Sequence, residues 1–471
     1  MAGLGEAVFM TDEVDVVVIG LGVGGEEVAG KLAEAGLSVV GIESRLVGGE
    51  CPYWGCVPSK MMIRAANALA EARRIDGLAG AAQVQPDWAP VARRIREEAT
   101  DTWDDRVAVE RFEGKGGRFI RGSGRLTGDG LVWVGDVELR ARRGVVIATG
   151  TEPAIPPVPG LDGTPYWTNH EAIEADTLPH SLVVLGGGAI GLELAQVFAR
   201  FGVRVTVVEA LDRLLAAEEP EASALAEHAL RADGIEVHTS APAQRVNHSG
   251  TDGRSANSRA EAGFSVALPT GTATGDALLV ATGRRARLDR LGLDTVGLDP
   301  AAKAIATDER MRAGDALWAV GDVTGHGAFT HMAMYHAGIV VADILGRPWP
   351  PADYRALPRV TFTDPEIGAV GLTEAQARAA FANVATGSTQ VASTARGWIH
   401  RGEGFIKLVA DTDRGVLVGA TSAGPVGGEV LSALALAVHA EVPLDRLRHM
   451  IYAYPTFHRG IEDALRDLAL T

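Results

Sequence analysis

The chain carries one structural unit twice. Residues 14–20 (VDVVVIG) are a short, apolar, β-branched run that enters the loop Gly20-Leu-Gly22-Val-Gly24-Gly25. EEVAGKLAEAG then has the pattern of a helix stopped by Gly36, and LSVVGIE reads as a second strand ending on Glu43. Such apolar runs suit buried parallel strands. Strand, G-x-G-x-x-G, helix, strand and an acid about 20 residues on make up the dinucleotide-binding fingerprint. The glycines let the backbone approach a pyrophosphate, and the helix N-terminus stabilises its charge. Glu43 would accept hydrogen bonds from a ribose. SLVVLGGGAIGLELAQVFARFGVRVTVVE repeats the whole pattern, with Gly186, Gly188 and Gly191 in the loop and Glu209 at the strand end. Two complete copies imply two dinucleotides bound by two Rossmann-like domains of an α/β protein.

Further signals set the domain layout. GVVIATGTEP, with Thr149 and Gly150, and ALLVATGRRA, with Thr282 and Gly283, echo each other, and each would close one nucleotide-binding half. ALWAVGD ends at Gly321-Asp322. An acid there either binds hydroxyls of a sugar-phosphate chain or caps the next helix. The Pro-rich TEPAIPPVPG (151–160) and RPWPPADY (347–354) read as linkers, and HSGTDGRSANSRAEAG (248–263) as a polar hairpin loop. The expected order is a first nucleotide domain over 1–150, a second over 151–277, a central segment over 278–347 completing the first, and a C-terminal α+β module over 348–471. At 471 residues the chain exceeds one ordinary core, which agrees with several domains.

Charge and cysteine usage narrow the function. Lys and Arg total 44 against 60 Asp and Glu, a formal charge of −16. Such a surface repels nucleic-acid phosphates and anionic membranes, so neither is expected as a partner. No apolar run reaches the roughly 20 residues that span a bilayer. MAGLGEAVFMTDE lacks the basic start and apolar core of a signal peptide, so a cytoplasmic location is expected. Only two cysteines occur, Cys51 and Cys56. A disulfide-stapled secreted protein would spread more of them, and no His at ligand spacing completes a metal site. A close pair in a reducing compartment points to redox chemistry.

The pair lies in GGECPYWGCVPSK (48–60), just past the second strand of the first unit and opening a helix that continues as MMIRAANALAEARR. A helix N-terminus lowers a thiol pKa and favours the thiolate. Four intervening residues, with Gly55 among them, allow the sulfurs to meet. Pro52-Tyr53-Trp54 between them either restricts access, stacks on a flat acceptor, or simply packs.

This segment resembles the motif G-G-T-C-x-x-x-G-C-x-P-S-K of the class I flavoprotein disulfide reductases, a family that includes dihydrolipoamide dehydrogenase and the glutathione, mycothione and mercuric reductases. The main departure is Glu50. The order of all the motifs matches over nearly the whole chain, and PRVTFTDPEIGAVGLTEAQA is similar to the opening of that family's dimerisation domain. The resemblance implies FAD in the first unit, NAD(H) or NADP(H) in the second, and a homodimer. It makes Cys51 the interchange thiol that attacks substrate and Cys56 the charge-transfer thiol against the isoalloxazine ring. Lys60 would sit beside the reactive flavin nitrogen, paired with Glu193. Gly49, Gly124, Thr149, Gly150, Asp322 and the turn Ala328, Phe329, Thr330 and His331 match FAD contacts, and Gly283 lies beside the second nucleotide. Glu209 favours NADH over NADPH, because it would bind a ribose but repel its phosphate. Arg204 and Arg213 lie near enough in sequence to blur that preference.

The C-terminus departs from the pattern. Disulfide-reducing members carry H-P-T-x-x-E, the His serving as acid–base group and the Glu orienting it. This chain has Tyr454-Pro455-Thr456-Phe457-His458-Arg459. Tyr, with a pKa near ~10, is a poor base at neutral pH. Tyr454 and His458 remain candidates for the site, His458 either as a substitute base supported by Glu462 or as a solvated helix-start residue. Mercuric reductases also carry Tyr there, but normally with a C-terminal cysteine pair that RDLALT lacks, so mercury is not expected as substrate. Three functions follow: reduction of a small-molecule disulfide or thiol-linked substrate through Cys51 and Cys56, reduction of quinone-like or other acceptors, or a non-catalytic redox-sensing subunit. The intact cysteine pair, Lys60 and Glu193 argue against the last.

Overall fold

The computed structural model describes residues 12–128, 130–249 and 263–468. It divides into two compact units, one built from residues 1–58, 94–154 and 284–353 and the other from 59–93, 155–283 and 354–471.

The first unit is organised on one sheet. Strands Leu317–Ala319, Val137–Ile147, Asp12–Ile19, Val39–Glu43 and Arg118–Arg121 run parallel in that order, with Arg312–Gly314 antiparallel at one edge. Strands Gly124–Gly128 and Leu131–Val134 form an antiparallel meander with Val137–Ile147. Side chains alternate between the two faces of a strand. Val16 and Val18 therefore join one apolar core with Val28 and Leu32 of the helix Val23–Glu34, while Val17 and Ile19 join another with Leu126 and Leu139, which Val14 also joins because the register shifts between Val14 and Val16.

The second unit holds a parallel sheet in the order Glu236–His238, Arg204–Val208, Ser181–Leu185, Ala277–Val280. It also holds the antiparallel strands Arg245–Ser249, Gly263–Leu268 and Gly271–Gly275. Of the expected hairpin loop, residues 250–262 lie outside the described residues; the flanking strands pair across it. The C-terminal part is a five-stranded antiparallel sheet, in the order Pro358–Thr361, Glu366–Gly371, Val416–Gly424, Phe405–Asp411, Val384–Gln390, covered by the helix Gly427–His439. The fold is thus mixed α/β, with two nucleotide-type parallel sheets and a C-terminal α+β sheet.

Residues 59–93 pack with the second unit, whereas the sequence reading ran the first domain unbroken to residue 150. The physical reason lies in a few contacts. Arg200 Nη1 donates to Asn67 Oδ1 (2.6 Å), Arg73 Nη2 donates to Arg200 O (2.9 Å), and Trp88 packs on Phe198 and Phe201 while its Nε1–H donates to Ala175 O (2.7 Å). The helix Cys56–Arg73 therefore crosses the division, with its first residues in the first unit and Lys60 in the second.

Candidate functional site

The two glycine loops are built alike. Gly20 has φ +93° and Gly186 has φ +113°, and a Cβ would lie 2.5 Å from Ala148 O at the first and 2.3 Å from Ala281 O at the second. Only glycine accepts this combination of left-handed backbone and close approach. At Gly25 and Gly191 a Cβ would come within 2.0 Å of Gly20 O and 2.3 Å of Gly186 O, so a side chain would force the helix away from the strand end. A Cβ at Gly22 or Gly188 would face open space, meeting no atom closer than 4.0 Å at the first and none within 4 Å at the second. Each is the residue before its helix.

The terminal acids also match. Glu43 accepts from the N–H groups of Leu21 (2.8 Å) and Arg45 (2.7 Å), and Glu209 from those of Gly187 (2.6 Å) and Leu211 (2.7 Å). An open backbone cradle at a helix N-terminus with a fixed carboxylate beside it fits the pyrophosphate and ribose of a dinucleotide in both units. Gly150 and Gly283, with φ +62° and +121°, have no atom within 4 Å of a Cβ, and Thr149 is exposed. Gly124 is buried against Ile19 and Ile42.

The cysteine loop docks on the first cradle backbone to backbone. Gly48 N–H donates to Leu21 O (2.7 Å), and at Gly49, φ +67°, a Cβ would stand 2.8 Å from Gly22 Cα. That contact sets Cys51 in the short helix Glu50–Tyr53 and Cys56 at the first position of the helix Cys56–Arg73. Cys51 is half-buried and Cys56 exposed. Cys56 Sγ lies 3.3 Å from Thr330 Oγ1, and Cys51 and Thr330 line one cavity. The sequence expectation of a lowered thiol pKa does not hold at Cys51. Its hydrogen bond with Cys56 and then its burial push the thiol above the usual range, against a smaller opposite effect of Thr330. Cys51 belongs to a four-residue helix, too short to offer much dipole.

Glu50, the departure from the motif, has a partner. Arg284 Nη2 lies 3.5 Å from Glu50 Oε2 and donates to Thr151 O (2.7 Å), while Arg284 Nε donates to Thr151 Oγ1 (2.9 Å). Thr151 in turn donates to Asp322 Oδ2 (2.8 Å). Burial raises the Asp322 pKa, and the Thr151 bond and Arg284 oppose it. Asp322 lies in the turn Gly321–Thr324, and past Ala328 the rings of Phe329 and His331 stack at 5.1 Å at the start of the helix Thr330–Ile344.

In the second unit, Lys60 Nζ donates to Glu193 Oε2 (2.8 Å) and lies 4.6 Å from the centroid of the Phe362 ring. Phe362 N–H donates to Glu193 Oε1 (2.8 Å), so the buried carboxylate is held on both oxygens. Tyr454 is 69% exposed and the Arg459 guanidinium lies over its ring at 5.5 Å. His458 is exposed, and Glu462, the expected support for it, instead pairs with Arg459 (3.1 Å) and Arg466. The structure thus offers His458 no orienting carboxylate in Glu462. Sequence reasoning missed Phe362, which stood only inside a dimerisation-domain match, and Arg284, which directly follows the second A-T-G. It named Thr330 for the cofactor but not for its contact with Cys56. Among the described residues no group of three or more His, Cys, Asp or Glu is placed to hold a metal ion, and no helix is long and apolar enough to cross a membrane.

The cradles, the fixed acids and the paired thiols define a flavin- and nicotinamide-dependent oxidoreductase, and comparison with known proteins agrees. Residues 14–337 match the pyridine nucleotide-disulphide oxidoreductase family and residues 357–465 match its dimerisation domain. The chain belongs to this family, and is an enzyme that uses FAD and NAD(P)H. Dihydrolipoyl dehydrogenase of Chlorobaculum tepidum is 33% identical over 473 residues, covering 96% of each chain. Mercuric reductase of Streptomyces lividans is 33% identical over 466 residues, covering 95% of this chain and 94% of that one. The Cu(II) complex of the HOCl-induced flavoprotein disulfide reductase RclA from Escherichia coli superposes with TM-score 0.83 at 26% identity, over 97% of this chain and 99% of that chain. LpdA from Mycobacterium tuberculosis does so with TM-score 0.83 at 25% identity and the same coverage.

Proposed function

We propose that the enzyme carries two electrons from NADH through FAD to Cys51 and Cys56, and from them to a small-molecule disulfide. The observation that carries this reading is that Cys56 meets the Thr330 hydroxyl at the start of a 15-residue helix while Cys51 lines the same cavity as Thr330. Bound FAD supplies the two-electron relay between nicotinamide and sulfur. The residues that would hold it are Gly20, Gly22, Gly25, Glu43, Gly49, Thr149, Gly150 and Asp322, with Ala328 to His331 beside the thiols. Lys60 and Glu193 would place a fixed cation near the ring, with Phe362 orienting the pair.

The sulfur chemistry balances within the chain. Cys51 gives up its proton as its sulfur attacks one sulfur of R–S–S–R, forming a mixed disulfide and expelling one thiolate. Cys56 then displaces the second, closing the Cys51–Cys56 bond, and each expelled thiolate takes up a proton. Two electrons from NADH restore the dithiol, so the sum is NADH, a proton and a disulfide giving NAD⁺ and two thiols.

NADH over NADPH is supported by more than Glu209. Arg213 is committed to the carbonyls of Ala216 (2.7 Å) and Glu218 (2.9 Å) and to the Ser223 hydroxyl (2.6 Å). Arg204 opens the strand Arg204–Val208, whereas the cradle lies past its other end. A homodimer is supported by the matched dimerisation domain and by exposed Trp398, Ile399, Leu436, Met450 and Ile451. A cysteine pair that must cycle as a dithiol suits the reducing cytoplasm.

A second reading is favoured by Tyr454 and Arg459, which leave no His–Glu acid–base pair at that place: reduction of a quinone-like or other acceptor that has no leaving thiolate to protonate. Anaerobic titration of the holoenzyme with NADH, followed by turnover with disulfides and quinones, decides between them. Under the disulfide reading Cys51→Ser abolishes turnover. Full turnover of that variant with the best acceptor refutes it in favour of the second reading.

A further inference from the structure

Cys51 lies in the wall of a cavity of about 610 Å³. That is within the usual range for small-molecule sites, roughly 300–1,000 Å³. Its apolar lining includes Val23, Val47, Tyr53, Val107 and Met334, and Thr330 sits among them. The charged lining is unequal: Glu26, Glu27, Asp101 and Asp104 against Arg111 and Lys115.

The neighbouring charges do not correct this imbalance. Arg111 Nε donates to Glu26 Oε1 (2.9 Å), so those two cancel. Lys31 pairs with Glu27 (2.8 Å), but Lys115 is drawn to Glu34 (3.4 Å) and Arg106 to Glu110 (2.9 Å). The outer layer therefore adds as many anions as cations and the excess of carboxylate survives. Asp101 and Asp104 bracket a left-handed stretch in which Asp101, Thr102 and Trp103 have φ of 48°, 58° and 56°. Three consecutive non-glycine residues persist in this strained region only where the surrounding structure holds them, so this wall is fixed. The Tyr53 phenol on the same wall is pushed up to about 12, first by burial and then by the charges of Asp105 and Glu26.

We propose that this cavity is the acceptor pocket and that its acidic wall, chiefly Asp101 and Asp104, selects cationic or uncharged disulfides with an apolar body and turns away anionic ones. The proposal rests on the disulfide reading above. An anionic substrate approaching Cys51 meets an excess of carboxylates, with Asp101 and Asp104 exposed on this wall, and the net charge of −16 adds to the repulsion at long range. A cation gains from the same field.

The test uses the FAD-loaded enzyme, NADH and three disulfides of matched length: cystamine (dication), 2-hydroxyethyl disulfide (neutral) and 3,3′-dithiodipropionate (dianion). At low salt kcat/KM should fall in that order, with about tenfold or more between the ends, and the spread should shrink in 1 M salt, where the screening length is about 3 Å. The intrinsic reactivities of the three cancel on comparing wild type with D101N/D104N. Asn tolerates the left-handed backbone at 101 and can still accept the Arg106 N–H that Asp104 accepts (2.8 Å). The double variant should narrow the cation-to-anion ratio by about fivefold, and D101K/D104K should invert it. An unchanged ratio in both variants, with Cys51→Ser inactive, overturns the selectivity while leaving the disulfide reading standing. Full turnover of Cys51→Ser with all three overturns both.

Discussion

Lys60 and Glu193 are 133 positions apart in sequence, yet their charged groups meet at 2.8 Å, and the second oxygen of Glu193 is taken by Phe362 N–H. The Lys60 ammonium is thus held by a carboxylate that cannot rotate away. Glu193→Gln keeps the shape and removes the charge. It should slow NADH-dependent bleaching of bound FAD by about tenfold, seen by stopped flow, since weakening one fixed charge typically costs about 1.4 kcal/mol of barrier. An unchanged rate would make the pair merely structural.

Thr330→Val removes the hydroxyl that Cys56 Sγ meets at 3.3 Å. A thiolate that loses a hydrogen bond is harder to form. In the NADH-reduced enzyme the long-wavelength thiolate–flavin absorbance should therefore appear at a pH about one unit higher than in wild type. A pH titration of that band checks this, and a superimposable curve would count against any role for Thr330 beyond packing.

Glu209→Ser should lower kcat/KM for NADH by about tenfold and leave NADPH unchanged or improved, because the repelling charge is gone while Arg213 stays tied to its carbonyls. Steady-state kinetics with both nucleotides measures it. Wild type preferring NADPH would contradict the assignment outright.

His336 is fully buried, and its Nδ1 accepts the Gly321 N–H (3.1 Å), so it is held neutral. Burial, with a smaller push from His326, lowers its pKa to about 4 from the ordinary 6.5. Its folded value lies below its unfolded one, so the unfolded chain binds the extra proton between those two pH values. Stability is full above pH 6.5 and is lost as pH falls toward 4. Urea unfolding at pH 5 should show a loss of about 2 kcal/mol from this group relative to pH 7. His336→Asn, which retains an acceptor without a titrating ring, should flatten that dependence.

Lys407 is buried on the strand Phe405–Asp411 with Glu219 (3.0 Å), Glu221 (2.8 Å) and Glu374 (2.9 Å) around its ammonium. Burial opposes its charge, but the three carboxylates more than compensate and raise its pKa. Lys407→Met leaves buried Glu219 without its cation. The loss should be about 3 kcal/mol by chemical denaturation, with partial recovery in Lys407→Met/Glu219→Gln.

The sequence made some of this architecture readable because it is local. Both glycine loops, their strands, helices and acids fall within about 30 residues each, and short-range periodicity reports them. The position of Cys56 at a helix start was readable for the same reason. The allegiance of residues 59–93 was not, because it depends on Arg200 reaching Asn67 and on Trp88 packing against Phe198, contacts more than a hundred positions apart. Glu50 looked like a bare departure until Arg284 was found beside it. The charge of the cavity at Cys51 was equally hidden, since Glu26, Asp101 and Lys115 have no common motif.

The likeness of the two cradles gives the enzyme a built-in control. Gly25 and Gly191 do the same job in separate halves, each against the carbonyl of its own leading glycine. A valine at Gly191 would disable the electron entry port and leave the flavin in place, yellow and oxidised. The same change at Gly25 would strip the colour from the protein. One substitution, made at two addresses, dissects the electron path at two different joints.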